Sequence, residues 1–354
     1  TLFRSGPPSG GEGLPSDPLR AYAVRDATGL ALQYQLAFPP DAQTPRSDHA
    51  QLAHRILAVD REALTQIRIA EKVSESLFSG AEATLMAIEQ EHGAADEAMA
   101  KRQNARHLRL LQRRGHYQSG MLRHVGEWYW GIDRLAHLER KLSGGPLASQ
   151  VLRRRHNPPP IEKPAHLEFF FSFRSPYSYL AIEPIASLCR KHDLNLTIRP
   201  VLPMVMRGLA VPFAKRLYIV RDCKREALRL GIPFGRICDP LGPGIGRAMA
   251  LFHRADEQGL GLDFIRSATR GSWSEGLDLA SDTDMEQMAT RAGLRWNEAR
   301  DRLGDTHWMA KVEANREALD GLGLWGVPSF SIGHWSAWGQ DRIGWLDEQL
   351  TAGN

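Results

Sequence analysis

The sequence predicts an α/β chain of two domains, with its chemistry in the second. Three observations carry this. Residues 167–173, Leu-Glu-Phe-Phe-Phe-Ser-Phe, form an apolar and aromatic run of strand length that meets Arg174-Ser175-Pro176 just before a helical pattern begins at Leu180. Residues 19–142 instead carry apolar side chains at helical spacing almost throughout. Between the two, Ser143-Gly144-Gly145-Pro146 and Asn157-Pro158-Pro159-Pro160 are clusters that break regular structure and mark domain edges. The expected boundaries are a lead-in over 1–18, a first domain over 19–142, a linker over 143–163 and a second domain over 164–354.

Composition bounds the function classes. At 354 residues and 42% hydrophobic content the chain is long enough for two ordinary cores. A net charge of +4 is a small excess over many charges of both signs, and no basic run is interleaved with aromatics, so nucleic acid is not expected as a partner. No apolar stretch reaches membrane-spanning length and the start lacks the apolar core of a signal peptide. A soluble, cytoplasmic protein follows, with a homodimer left open. Cys189, Cys223 and Cys238 are dispersed, without a Cys-x-x-Cys pair or a histidine at ligand spacing, which points to neither a redox dithiol nor a metal site.

In chain order, the chain opens on Thr1, and its Gly/Pro/Ser-rich start to about Pro18 reads as a flexible lead-in to a fragment whose true start lies upstream. Helices are expected over Leu19–Leu36, Ala50–Leu64, Ile67–Phe78 and about Ala95–Arg114. An internal similarity then appears. Arg20-Ala21-Tyr22-Ala23-Val24-Arg25-Asp26 recurs 196 positions later as Arg216-Leu217-Tyr218-Ile219-Val220-Arg221-Asp222. Trp130-Gly131-Ile132-Asp133-Arg134-Leu135 recurs 208 positions later as Trp338-Gly339-Gln340-Asp341-Arg342-Ile343. Order is kept and spacing nearly so, with the difference of 12 positions placed in loops, so the halves read as copies of one fold. The first copy has no counterpart of the aromatic strand, the Ser-Pro loop or the helix after it. Arg153-Arg154-Arg155-His156 in the linker reads as a solvated basic run.

The second copy opens on the aromatic strand and the loop Arg174-Ser175-Pro176-Tyr177-Ser178-Tyr179. Ser175 stands at a helix N-terminus, where unpaired N–H groups and the dipole favour negative charge. It is placed either as an ordinary cap or as the holder of an anion. The phrase from Phe171 to Pro184, FSFRSPYSYLAIEP, resembles the opening of the 2-hydroxychromene-2-carboxylate isomerases and kappa-class glutathione transferases, members of the DsbA-like branch of the thioredoxin superfamily. The likeness runs from about His166 to the end of the chain. It implies a thioredoxin-like (DsbA-like) sheet with a helical insertion; the internal repeats place before it a mostly helical degenerate copy of the same fold. It also implies that Ser175 replaces the nucleophilic cysteine of the redox enzymes and holds the thiol of glutathione as cofactor or co-substrate, with no metal.

The other markers follow in order. Leu194–Val201 alternates as a strand. Arg207, in Met204-Val205-Met206-Arg207-Gly208, matches the family's basic residue near glutathione, while Gly208-Leu209-Ala210 stands where the family carries an Asn. Residues 213–300 are expected as a helical lobe. Within it Gly242-Pro243-Gly244-Ile245-Gly246 reads as a turn before a helix from Arg247 to Gly259, since the strand and lysine of a phosphate loop are missing. Tyr177 and Trp273 are expected at the substrate, and Trp273 and Trp308 serve equally well as core fillers. Gly326-Val327-Pro328-Ser329 resembles the signature in which a cis-proline precedes a strand, implying that Val327 and Pro328 face the Ser175 loop and pair with glutathione as an added strand. Gln340 and Asp341 match positions that hold its γ-glutamyl end. Asp133 and Arg134 repeat the motif in the first copy, which makes part of it structural.

The activity implied is glutathione-dependent isomerisation of an aromatic-derived unsaturated keto acid. A kappa-like glutathione transferase and a catalytically silent binding module are the alternatives. Dithiol exchange is disfavoured, because no cysteine lies in the loop.

Overall fold

The computed structural model describes residues 16–117, 120–145, 161, 166–208 and 211–352. The chain divides into two compact units, residues 1–156 with 212–215, and residues 157–211 with 216–354. The basic run 153–156 and the prolines at 158–160 lie outside the described residues. No helix among the described residues is long and apolar enough to cross a membrane.

The first unit contains α1 (Ser16–Tyr34), α2 (Ser47–Leu57), α3 (Ala63–Ser79), α4 (Glu82–His92), α5 (Glu97–Arg113), β1 (Met121–His124), β2 (Glu127–Trp130) and α6 (Leu135–Ser143). Ile69, Val73 and Leu77, four apart on α3, pack with Ala53 and Ile56 of α2 and with Leu85 and Ile88 of α4. The expected helix to Leu64 is two helices. Arg61 explains the break: its guanidinium donates to the carbonyls of Ile56 at 2.8 Å and Val59 at 3.1 Å, satisfying the end of α2. The next residue, Glu62, caps α3 by accepting from the Thr65 N–H at 3.1 Å. The hairpin β1–β2 turns on Val125 and Gly126, both with positive φ, as a two-residue antiparallel turn demands.

The second unit contains β3 (His166–Phe171), α7 (Pro176–His192), β4 (Asn195–Pro200), a short 3-10 helix Met204–Arg207, then α8 (Phe213–Leu230), α9 (Pro243–Glu257), α10 (Gly261–Ser274), α11 (Asp282–Arg291), α12 (Trp296–Ala299) and α13 (Trp308–Gly321). It closes with β5 (Ser329–Ile332), β6 (Trp335–Trp338) and α14 (Ile343–Ala352). The sheet order is β4-β3-β5-β6, with β3 parallel to β4 and antiparallel to β5, and β5 antiparallel to β6. This is the thioredoxin-like arrangement, with α8 to α13 inserted between its two halves.

The central strand is an unbroken aromatic run because both of its faces are covered. Phe169 stacks on Phe330 of β5 at 5.5 Å, Phe171 meets Phe173 edge-on at 5.0 Å, and Phe173 meets Phe264 of α10 at 6.1 Å. Phe170, on the other face, lies under the Arg199 guanidinium at 5.9 Å.

α7 begins at Pro176 with Ser175 as its cap, as the Ser-Pro loop implies, because proline is pre-set for the first helical position. One expected start moves: for the same reason α9 begins at Pro243, not Arg247, and the supposed turn is its first coil. Gly244 is required there: a Cβ would meet Leu279 Cβ at 2.8 Å.

Candidate functional site

Ser175 has the extended backbone of a helix cap, and its Oγ accepts from the Ser178 N–H at 3.1 Å. The same hydroxyl donates to the carbonyl oxygen of Val327 at 3.2 Å. The cap and the facing of Ser175 towards the Val327-Pro328 loop are therefore one arrangement. The Val327-Pro328 peptide is cis. Behind it, Gly326 lies flat against Trp338, where a Cβ would approach the indole nitrogen to 2.6 Å, and Trp325 packs on Trp338 at 5.1 Å.

The β5–β6 hairpin carries the remaining positions to the same place. Its register sets Ser329 opposite Trp338, so Pro328 comes opposite Gly339, whose N–H donates to the Pro328 carbonyl at 2.8 Å. Gln340 and Asp341 follow at once, with the Gln340 amide donating to Asp341 Oδ1 at 3.2 Å. Arg207 approaches from the other side, its guanidinium donating to the Trp325 carbonyl at 3.3 Å. Burial pushes its pKa down, and an arginine keeps its charge regardless. Ser175 is thus bonded to Val327, Gly339 ties Pro328 to the Gln340-Asp341 turn, and Arg207 holds the proline loop at Trp325, two residues before Val327.

Trp273 is 5% exposed. Its indole N–H donates to the Phe173 carbonyl at 3.1 Å, and its ring lies parallel to Phe234 at 6.2 Å, so it braces the loop from beneath. Trp308 is buried at the start of α13. The two tyrosines of the loop have different partners. Tyr179 donates to the Pro233 carbonyl at 2.8 Å, and burial pushes its phenol up to about 12. Tyr177 donates to Asp222 Oδ2 on α8 at 2.7 Å.

Three residues near the loop escaped the sequence reading. Arg174 makes a two-pronged pair with Asp239, at 2.8 and 2.7 Å, tying the residue before Ser175 to the loop ahead of α9. Asp222 was visible only as the last member of the repeated segment beginning at Arg216. Among the described residues no group of three or more His, Cys, Asp or Glu is placed to hold a metal ion.

The sheet, the Ser-Pro loop at a helix N-terminus and the proline loop facing it define a thioredoxin-like protein in which a serine, Ser175, caps the helix after the central strand. A family model described as the DSBA-like thioredoxin domain matches residues 166–351, more than half of the chain, and the chain belongs to that family. The 2-hydroxychromene-2-carboxylate isomerase of Pseudomonas putida is 24% identical over 200 residues, covering 52% of this chain and 93% of that protein. The enzyme of the same name from Sphingobium xenophagum is 22% identical over 192 residues, covering 52% and 97%. A solved 2-hydroxychromene-2-carboxylate isomerase structure is 20% identical with a TM-score of 0.46, covering 53% of this chain and 95% of that one.

Proposed function

We propose that the second unit is a glutathione-dependent isomerase of the 2-hydroxychromene-2-carboxylate type, working in the cytoplasm on an unsaturated keto acid. One observation carries the reading: the Ser175 hydroxyl sits at the N-terminus of α7 and points across to the Val327 carbonyl, with serine rather than cysteine at the head of the loop. The residues present fit glutathione. Ser175 offers a hydroxyl at the positive end of a helix dipole, Val327 a backbone edge, and Arg207, Gln340 and Asp341 charged or amide groups for the peptide's ends. The Asn that the resemblance implies after Arg207 is not supplied by Gly208-Leu209-Ala210-Val211-Pro212.

When bound, glutathione supplies a thiolate, which adds reversibly to a conjugated double bond and frees it to rotate. Ser175 orients that sulfur by turning its hydroxyl from the Val327 carbonyl towards it. The first turn of α7 lowers the energy of the negative charge. Arg207 holds a carboxylate. Tyr177 forms part of the substrate wall, and Trp273 keeps the loop in place. The curated relatives named as isomerases support this reading over conjugation, which needs the same thiolate.

The first unit we read as a second, incomplete copy. In support, β1, β2, the 3-10 turn Ile132–Arg134 and α6 begin 208 positions before β5, β6, the turn Gln340–Arg342 and α14. Arg134 and Arg342 are both buried, and the Gly131 N–H donates to the Gly120 carbonyl where Gly339 donates to Pro328. The test is direct: the purified chain should interconvert 2-hydroxychromene-2-carboxylate and its ring-opened isomer only when glutathione is added. Equal rates with and without glutathione, or none at all, would end the reading.

A further inference from the structure

In the first unit, α5 carries five cations, Lys101, Arg102, Arg106, Arg109 and Arg113, against one carboxylate, Glu97. That single helix holds as much net charge as the whole chain, +4. The fold sorts these charges. At about 100° per residue, Arg102, Arg106, Arg109 and Arg113 fall within a sector of about 60° and form a row about 16 Å long. Lys101 falls outside the row and pairs with Glu97, one turn before it. The packed side of the helix is the other one: Ala100, Gln103, Leu108 and Leu111 are partly buried, and Gln103 donates to Asp60 Oδ2 at 3.1 Å.

All four arginines of the row are exposed, and none has a hydrogen-bond or ion-pair partner among the described residues. Like charges one turn apart destabilise a helix, so the fold alone does not ask for the row. Two more exposed guanidinium groups sit where the helix ends: the Trp128 indole N–H donates to the Arg114 carbonyl at 3.0 Å, and Arg123 lies over the Trp128 ring at 5.7 Å.

The row contains no apolar side chain. A helix that lies on a membrane turns an apolar face to the lipid, but Leu108 and Leu111 turn to their own unit and only Leu110 of the leucines is exposed, at the edge of the row. A protein interface is built round an apolar core, which is missing here. The row also lacks an aromatic ring on which an unpaired base could stack. The partner left is a regularly charged polymer whose bases are already stacked inside it. Guanidinium forks fit phosphate oxygens in pairs, and a duplex carries one charge per about 1.7 Å of its axis.

We propose that the arginine face of α5 docks the phosphate backbone of a nucleic-acid duplex without reading its sequence. The lack of aromatics among the basic residues, which speaks against a platform for bases, leaves a contact with the backbone alone open. Arg102, Arg106, Arg109 and Arg113 meet the phosphates, and Arg114 and Arg123 extend the positive field past the helix end. The first unit thereby gains a task of its own, independent of the isomerase reading of the second.

The probe is a fluorescein-labelled DNA duplex of arbitrary sequence, titrated with the full chain and followed by anisotropy from about 50 to about 200 mM salt. Four phosphate contacts give log affinity a slope of about −3.6 against log salt, a loss of about a hundredfold across that range. Arg106→Gln combined with Arg109→Gln should flatten the slope by about 2. Adding Arg102→Gln and Arg113→Gln should weaken binding about a hundredfold or more at the low-salt end. Lys101→Gln, off the row, should leave the slope unchanged. Glutamine keeps the helix propensity, and thermal melts establish that the variants fold. If the fourfold variant does not, the double variant decides. No binding by the wild type at low salt, an unchanged slope in the double variant, or an equal loss in Lys101→Gln would each overturn the assignment. So would tighter binding to the single strand, to polyglutamate or to vesicles of anionic lipid, each of which would give the face to another partner.

Discussion

The hydroxyl of Ser175 donates to the carbonyl of Val327 at 3.2 Å, although the two residues are 152 positions apart in the chain. The bond closes the second unit's site, joining the strand-helix half that carries the Ser-Pro loop to the hairpin half that carries the proline loop.

Ser175→Ala should therefore separate two effects. Losing the cap bond to the Ser178 N–H should cost about 1 kcal/mol of stability. Losing a hydrogen bond to a thiolate should lower glutathione-dependent turnover by about 1.5–3 kcal/mol, or roughly ten- to a hundredfold. Turnover and thermal melting on one preparation check both. Unchanged turnover in a folded variant returns Ser175 to the role of cap.

Disulfide reduction should be absent. Burial pushes the Cys189 thiol up to about 11, so roughly one in ten thousand is thiolate at pH 7. Burial, then the nearby Asp278 and Asp239, also raises Cys238, and Cys223 is fully buried. An insulin-reduction assay with glutathione or dithiothreitol as electron donor should run at the uncatalysed rate. Fast reduction abolished by one Cys→Ser substitution would restore an oxidoreductase reading.

The glycines before the last helix of each unit offer a test that separates fold from site. Gly339 has φ 103 and Gly131 φ 60, where a side chain is strained by about 1–3 kcal/mol. Gly339→Ala should lower the melting temperature and weaken glutathione binding, since the Gly339 N–H holds the Pro328 carbonyl. Gly131→Ala should lower stability and leave binding unchanged. Loss of binding in Gly131→Ala would show that the first unit takes part in the site.

Stability should fall on acidification through the range set by His253. Burial, helped by Lys311, lowers its pKa from 6.5 to about 4, and its Nε2 has no hydrogen-bond partner among the described residues. The folded chain holds this histidine neutral while the unfolded chain protonates it. The contribution is therefore full above pH 6.5 and is lost as the pH falls from there towards about 4. Denaturant midpoints for wild type and His253→Gln across that range should converge at low pH. Parallel curves would remove His253 as the cause.

Much of this was legible in the sequence, where the signal was local. The aromatic strand, the serine cap and Pro176 announce β3, the loop and α7 within fourteen residues. The hairpin from Met121 to Trp130 was not read from the sequence, because helical spacing on both sides hid it, although the recurrence of Trp130-Gly131 as Trp338-Gly339 marks where it ends. The pairs Arg174–Asp239 and Tyr177–Asp222 were not legible. They join residues 65 and 45 apart across a helical lobe, and charge spacing along one chain says nothing about which helix faces which loop.

In the proposed mechanism Ser175 and the start of α7 hold glutathione as a thiolate. The most direct measurement titrates glutathione into the full chain at pH 7 while following the ultraviolet absorption of the thiolate. Saturable binding with thiolate absorption is expected in the wild type, and binding without that absorption in Ser175→Ala. Absence of binding, or the same thiolate signal in both proteins, would contradict it.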